Sequence, residues 1–221
     1  MSAPIIVVAT LKGGSGKSTT AAIFACHSQA RGKQVALIDA DPQGTLLHWH
    51  SLGEPALEIN LVADTSEDVG HRALKSAGKT DLVVVDTAGF RNRTMIEALL
   101  VADFVVVPIK ASPLDIAVAM DTVALIKDVG ASPERNGKPL PYALVLTQVS
   151  SKSALARHVR SELAGLDYDL LKSELVNRVA YGEAALSGRL PLHVSSKGAA
   201  AQDGEKLTSE VWDRLARIMK G

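Results

Sequence analysis

Apolar residues in this chain gather in short continuous runs: Ile5 to Ala9, Gln34 to Ile38, Leu82 to Val85, Phe104 to Pro108 and Ala143 to Thr147, with weaker runs near Leu57 to Val62 and Leu190 to Val194. Unbroken Val/Ile/Leu character, without polar alternation, marks strands covered on both faces. Helix-period stretches separate the runs, so the connections read as right-handed βαβ crossovers. The pattern predicts a doubly wound α/β fold, a mostly parallel sheet with helices on both faces, in one domain spanning residues 1–221. Near the end, Leu207, Val211, Leu215 and Ile218 recur at helical spacing and predict an amphipathic helix.

Open sheets of this kind bind ligands beyond the carboxyl ends of their strands. The first run leads into Lys12-Gly13-Gly14-Ser15-Gly16-Lys17-Ser18-Thr19, followed by a helix-like stretch. Such glycines let successive N–H groups face one anion, the helix N-terminus adds its positive end, and Lys17 supplies a charge for terminal phosphates. A triphosphate is the expected ligand. Leu11 stands where the usual motif begins with glycine, and Lys12 brings a second cation into the loop. Two crowded lysines are costly unless a large negative charge lies between them, so Lys12 points to a highly charged state or a bridging contact; the other reading is a solvated loop lysine.

Two further strand ends carry acids: Asp39-Ala40-Asp41-Pro42-Gln43-Gly44 and Asp86-Thr87-Ala88-Gly89. A phosphate-loop enzyme holds Mg²⁺ by the loop hydroxyl, here Ser18, and by a carboxylate at a neighbouring strand tip, here Asp86. Asp39 and Asp41, two apart in an extended segment, share a face and are expected near the metal, with Asp39 as a metal candidate and Asp41 orienting the attacking water. The same pair also fits the start of a turn completed by Pro42 and Gly44. His48 and His50, flanking Trp49, diverge in direction and read as packing or surface residues.

Charge narrows the partners. There are 24 basic and 24 acidic residues, so any nucleic-acid surface has to be a local patch. Cys26 is the single cysteine, which excludes an internal disulfide or a Cys-rich cluster within one subunit and fits a reducing cytosol. No leader-like start and no apolar run of about 20 residues is seen, so a cytoplasmic, nucleoid-associated location is expected.

Lys-Gly-Gly-x-Gly-Lys-Ser, Asp-x-Asp-Pro-Gln-Gly and the strand ending Asp-Thr-Ala-Gly together resemble the ParA/MinD family of deviant phosphate-loop ATPases. The likeness continues through Pro108 to Ala117 and Arg178 to Gly188. The chain's short start is most like that of small plasmid-partition ParA proteins, without an operator-binding domain. The resemblance implies Mg²⁺-dependent ATP hydrolysis and an ATP-dependent homodimer in which Lys12 reaches the partner's phosphates. It also implies non-specific DNA binding and stimulation by a centromere-bound ParB-type adaptor, so that the cycle segregates plasmid or chromosome DNA. By the same resemblance Lys17 and Asp41 are catalytic, Ser18 and Asp86 hold Mg²⁺, Thr19 touches the α-phosphate region, and Thr147 and Gln148 lie near the purine ring.

For DNA contacts the candidates are Arg157, Arg160, Arg178, Arg189, Lys197, Arg214, Arg217 and Lys220, although a basic helix face equally fits plain solvation. A MinD-like membrane ATPase would use the C-terminal amphipathic helix instead. Its mixed polar face, Glu210 and Asp213 beside Arg214, Arg217 and Lys220, argues against that, and no membrane partner is expected. An ATP-dependent ligase would need a second substrate pocket that no motif marks.

Overall fold

The computed structural model describes residues 2–52, 59–150, 153–166 and 168–220. Its strands are β1 (Ile5–Val8), β2 (Val35–Ala40), β3 (Asn60–Ala63), β4 (Leu82–Thr87), β5 (Phe104–Lys110), β6 (Tyr142–Val149) and β7 (Leu170–Val176). They form one sheet in the order β3-β2-β4-β1-β5-β6-β7, and every pairing is parallel. The five main strand runs and the doubly wound architecture stand where the sequence pattern puts them. The weak run near Leu57 to Val62 corresponds to β3; residues 57 and 58 fall outside the described residues.

The helices are α1 (Lys17–Ala30), α2 (Thr45–Leu52), α3 (Val69–Ala77), α4 (Arg93–Val101), α5 (Pro113–Gly130), α6 (Ala154–Gly165), α7 (Val179–Ala185), α8 (Pro191–Val194) and α9 (Ala199–Ile218). Successive strand residues point to opposite faces, so each apolar run feeds two cores. Ile5, Val7, Val83, Val85, Val105 and Val107 pack with Ala73, Met95, Leu99, Ile116, Val123 and Val159 of α3 to α6. Ile6, Val8, Leu82, Val84, Phe104 and Val106 pack with Ile23, Phe24, Leu207, Val211 and Leu215 of α1 and α9.

Two expectations fail for physical reasons. Leu190 to Val194 is a helix start, α8, because Pro191 occupies a first-turn position where its fixed φ suits a helix and its missing N–H costs nothing. The edge strand is instead β7, Leu-Leu-Lys-Ser-Glu-Leu-Val, whose central Lys172, Ser173 and Glu174 interrupt the apolar run and give it a loop-like composition.

Helix α9 is amphipathic, and its apolar stripe is spent inside the molecule: Leu207, Val211 and Leu215 are fully buried, while Ile218 is 36% exposed. Among the described residues no helix is long and apolar enough to cross a membrane.

Candidate functional site

The register of the sheet assembles the site. Asp39 at the end of β2 lies beside Asp86 at the end of β4, Asp86 beside Val8 of β1, and Lys110 of β5 beside Thr147 of β6. Adjacent strands are about 4.8 Å apart, so residues remote in sequence share one carboxyl edge around the loop after β1.

In that loop Gly14 and Gly16 have φ of 71° and 89°, the left-handed region that favours glycine. Gly16 is also the N-cap of α1 and offers no side-chain acceptor, which leaves the first N–H groups of the helix for a ligand. Gly89, after β4, presses on the loop so closely that a Cβ there would lie 2.9 Å from the Gly13 nitrogen. From the other side Thr147 donates its hydroxyl to the Ser15 carbonyl at 2.7 Å, and the Gln148 amide donates to the Gly14 carbonyl at 3.0 Å. Gln148 does so from a left-handed backbone, φ 52°, a conformation uncommon outside glycine. The loop is thus clamped before any ligand arrives.

Over it opens a cavity of about 610 Å³ lined by Gly13, Gly14, Lys17, Ser18, Asp41 and Phe90, among others. A smaller chamber of about 230 Å³ adjoins it through Gly16, Thr19 and Gln148 and is closed by Leu175, Asn177, Arg178 and Tyr181. The sequence reading did not single out Asn177 or Tyr181, because only the turn after the edge strand β7 brings them here.

Lys17 is buried and sets its ammonium on the Lys12 carbonyl at 3.2 Å. Desolvation lowers its pKa, against the raising effect of the Asp86 and Asp41 charges. Asp86 is fully buried, and neither of its oxygens has a hydrogen-bond partner. Burial pushes its pKa up to about 7; the nearby Ser18 hydroxyl and Lys17 charge oppose the rise, while Asp39 and Asp41 add to it. A buried carboxylate left without partners normally costs several kcal/mol and points to a missing cation. The oxygens of Asp86 and the Ser18 hydroxyl therefore suit Mg²⁺, a hard cation that takes oxygen ligands and keeps waters.

One expectation is corrected. Asp39 is no open metal ligand: one oxygen accepts the Asp41 N–H at 3.2 Å and the other those of Leu46 and Leu47 at 3.0 and 3.2 Å. Its carboxylate anchors the start of α2, although burial raises its pKa. Asp41 lies one residue past the end of β2 and lines the cavity. Thr147 lines the smaller chamber, and its hydroxyl reaches the Ser15 carbonyl of the loop and the Ile109 carbonyl of β5.

Lys12 differs from Lys17. It is not among the described residues lining the large cavity, and its ammonium pairs at 2.9 Å with Asp115 in the first turn of α5. Asp115 also accepts from the Ser112 hydroxyl. The Lys12 charge is therefore balanced by a carboxylate of its own chain, a partner 103 positions away that no local pattern reveals.

Most of the basic residues proposed for DNA have work inside the fold. Arg160 donates to the Leu171 carbonyl and to Glu174, Arg178 forks onto Asp203 of α9, Arg214 pairs with Asp169, and Arg217 donates to the Asp213 carbonyl. Arg157 and Arg189 are engaged as well. Lys197 and Lys220 are exposed. His48 and His50 sit on exposed positions of α2, and no cluster of three metal-ligating side chains is found among the described residues.

Comparison with known proteins agrees with this geometry. Over 202 residues, 90% of this chain and 91% of the relative, it is 30% identical to the maintenance of carboxysome distribution protein A of Halothiobacillus neapolitanus. It is 27% identical to the ParA protein of Rhizobium radiobacter over 98% of this chain and all of the relative. The fold matches the septum site-determining protein MinD of Pyrococcus horikoshii, solved with Mg-ADP, at a TM-score of 0.76 with 17% identity and 97% of each chain covered. With the family model of the CobQ/CobB/MinD/ParA nucleotide binding domain matching residues 6–192, the chain belongs to that family.

Proposed function

We propose that this protein is a ParA-type partition ATPase that binds Mg-ATP over the glycine loop, hydrolyses it, and uses the cycle to position cargo. The observation that carries the reading is the orphaned, buried carboxylate of Asp86 beside Ser18, beneath a loop whose left-handed glycines and uncapped helix leave N–H groups for phosphates. When bound, Mg²⁺ would neutralise phosphate charge. Lys17 and the loop N–H groups hold the β- and γ-phosphates, Thr19 faces the α-phosphate, and the base enters the chamber between Gln148 and Tyr181. Asp41, the acid that lines the cavity and remains partly exposed, orients the attacking water.

Lys12 serves the partner subunit. Its pairing with the buried Asp115 means that it must be drawn away to cross. A charge-assisted bond of this kind is worth about 1.5–3 kcal/mol, a cost that ATP phosphates on the partner can offset. Homodimerisation then follows nucleotide state.

DNA is bound without base readout, and a ParB-type adaptor stimulates turnover. Lys197, Arg217 and Lys220 are the first phosphate contacts to test, since Arg160, Arg178 and Arg214 already hold acids of the chain. A membrane role for α9 is disfavoured: Leu207, Val211 and Leu215 are already buried in the core, and the polar face mixes acids with bases. The names of the relatives support two kinds of cargo, chromosomes and carboxysomes. The deciding experiment is a DNA mobility shift with ATP, ADP and no nucleotide. A shift with ATP alone supports the cycle, and equal shifts under all three conditions contradict it.

A further inference from the structure

Three lysines surround the phosphate loop, and two are accounted for: Lys17 by the Lys12 carbonyl and the acids facing it, Lys12 by Asp115. The third is Lys110, the last residue of β5, half-buried at the carboxyl edge in register with Thr147. Its ammonium stands 3.9 Å from the point where a Cβ on Gly14 would sit. That ammonium makes no hydrogen bond or ion pair with the described residues. Gly14 is left-handed and lacks a side chain, so nothing of that residue screens the ammonium from the loop. Its carbonyl is already taken by Gln148.

A half-buried cation without a counter-ion, set against a loop built for anions, lacks only the anion. The acids of the site, Asp41 and Asp86, stand on the β2 and β4 side next to Lys17, whereas β5 brings Lys110 in from the opposite flank of β1.

We propose that Lys110 is a third polyphosphate-positioning cation, acting from β5 on the nucleotide held by its own protomer. This deepens the ATP-site reading above and rests on it. Because the interaction is Coulombic, it grows with the number of phosphates and does not need the terminal fork of an arginine or the shape of a lysine.

The test is equilibrium titration of the wild-type chain, Lys110→Gln and Lys110→Arg with fluorescent ATP and ADP analogues in Mg²⁺, at two salt concentrations, alongside thermal melting without ligand. Lys110→Gln should weaken ATP binding about tenfold and ADP binding less. It should also flatten the salt dependence, leave the ligand-free melting temperature unchanged, and be largely rescued in Lys110→Arg. Wild-type affinity in Lys110→Gln overturns the assignment, as does equal weakening in Lys110→Gln and Lys110→Arg, which would mark a packing role. Those results leave the ATP reading standing. Failure of the wild-type chain to bind either analogue removes both.

Discussion

Two regions of this molecule are rich in charge and treat it in opposite ways. Around the phosphate loop, charges stand without partners or under strain: Asp86 has two orphaned oxygens, Lys17 is buried among acids, and Lys110 faces bare backbone. In the layer built by α1, β7 and α9, charges cancel within the chain, as in Arg214 with Asp169 and the cluster of His27, Arg31 and Glu205. Satisfied pairs hold a fold together, whereas unsatisfied buried ones cost stability and persist where a ligand completes them. The contrast separates the functional face from the scaffold more sharply than charge counts do, because both regions contain Arg or Lys beside Asp or Glu.

The comparison breaks first at Lys17. Lys17→Ala should abolish ATP binding at concentrations that saturate the wild type, and calorimetric titration reads this directly; retained binding would deny the loop its role. Asp41→Ala should keep ATP yet lose about 10²- to 10⁴-fold in turnover, measured as phosphate release; a wild-type rate would reassign the water-orienting group. Changes in the satisfied region should act on stability and leave nucleotide affinity alone. Gly204→Ala, where a Cβ would come 2.6 Å from the His27 ring, should cost about 1–3 kcal/mol in denaturant unfolding.

The smallest effect concerns pH. Desolvation lowers the pKa of buried His27, against the Glu205 bond that raises it. The folded chain therefore binds fewer protons here than the unfolded chain. Its contribution to stability is complete above about pH 6.5 and declines as pH falls through the lowered value, by at most about 1.4 kcal/mol per unit. Melting between pH 8 and pH 5 should show this decline, and His27→Gln should flatten it.

Much of the site was legible because its parts are local. The glycine spacing, the apolar run before it and the acid at the end of Val83-Val84-Val85 each occupy a few consecutive residues, and parallel pairing brings their ends together without further instruction. What was not legible depends on distant partners. Asp39 reads as a metal ligand until the N–H groups of Leu46 and Leu47 are seen to take its oxygens. Asp115 and Lys110 stand in the Pro108 to Ala117 segment, but nothing in that segment names Lys12 or Gly14 as their neighbours. The edge strand β7 was hidden by the polar residues at its centre, and Pro191 turned an apolar run into a helix start.

The central claim is that the unpartnered carboxylate at the end of β4 is completed by the metal of a bound nucleotide. It is tested most directly by calorimetric titration of ATP into wild type and Asp86→Asn, each with and without Mg²⁺. The account predicts that Mg²⁺ tightens binding strongly in the wild type and hardly at all in Asp86→Asn. An unchanged Mg²⁺ dependence in Asp86→Asn would contradict it.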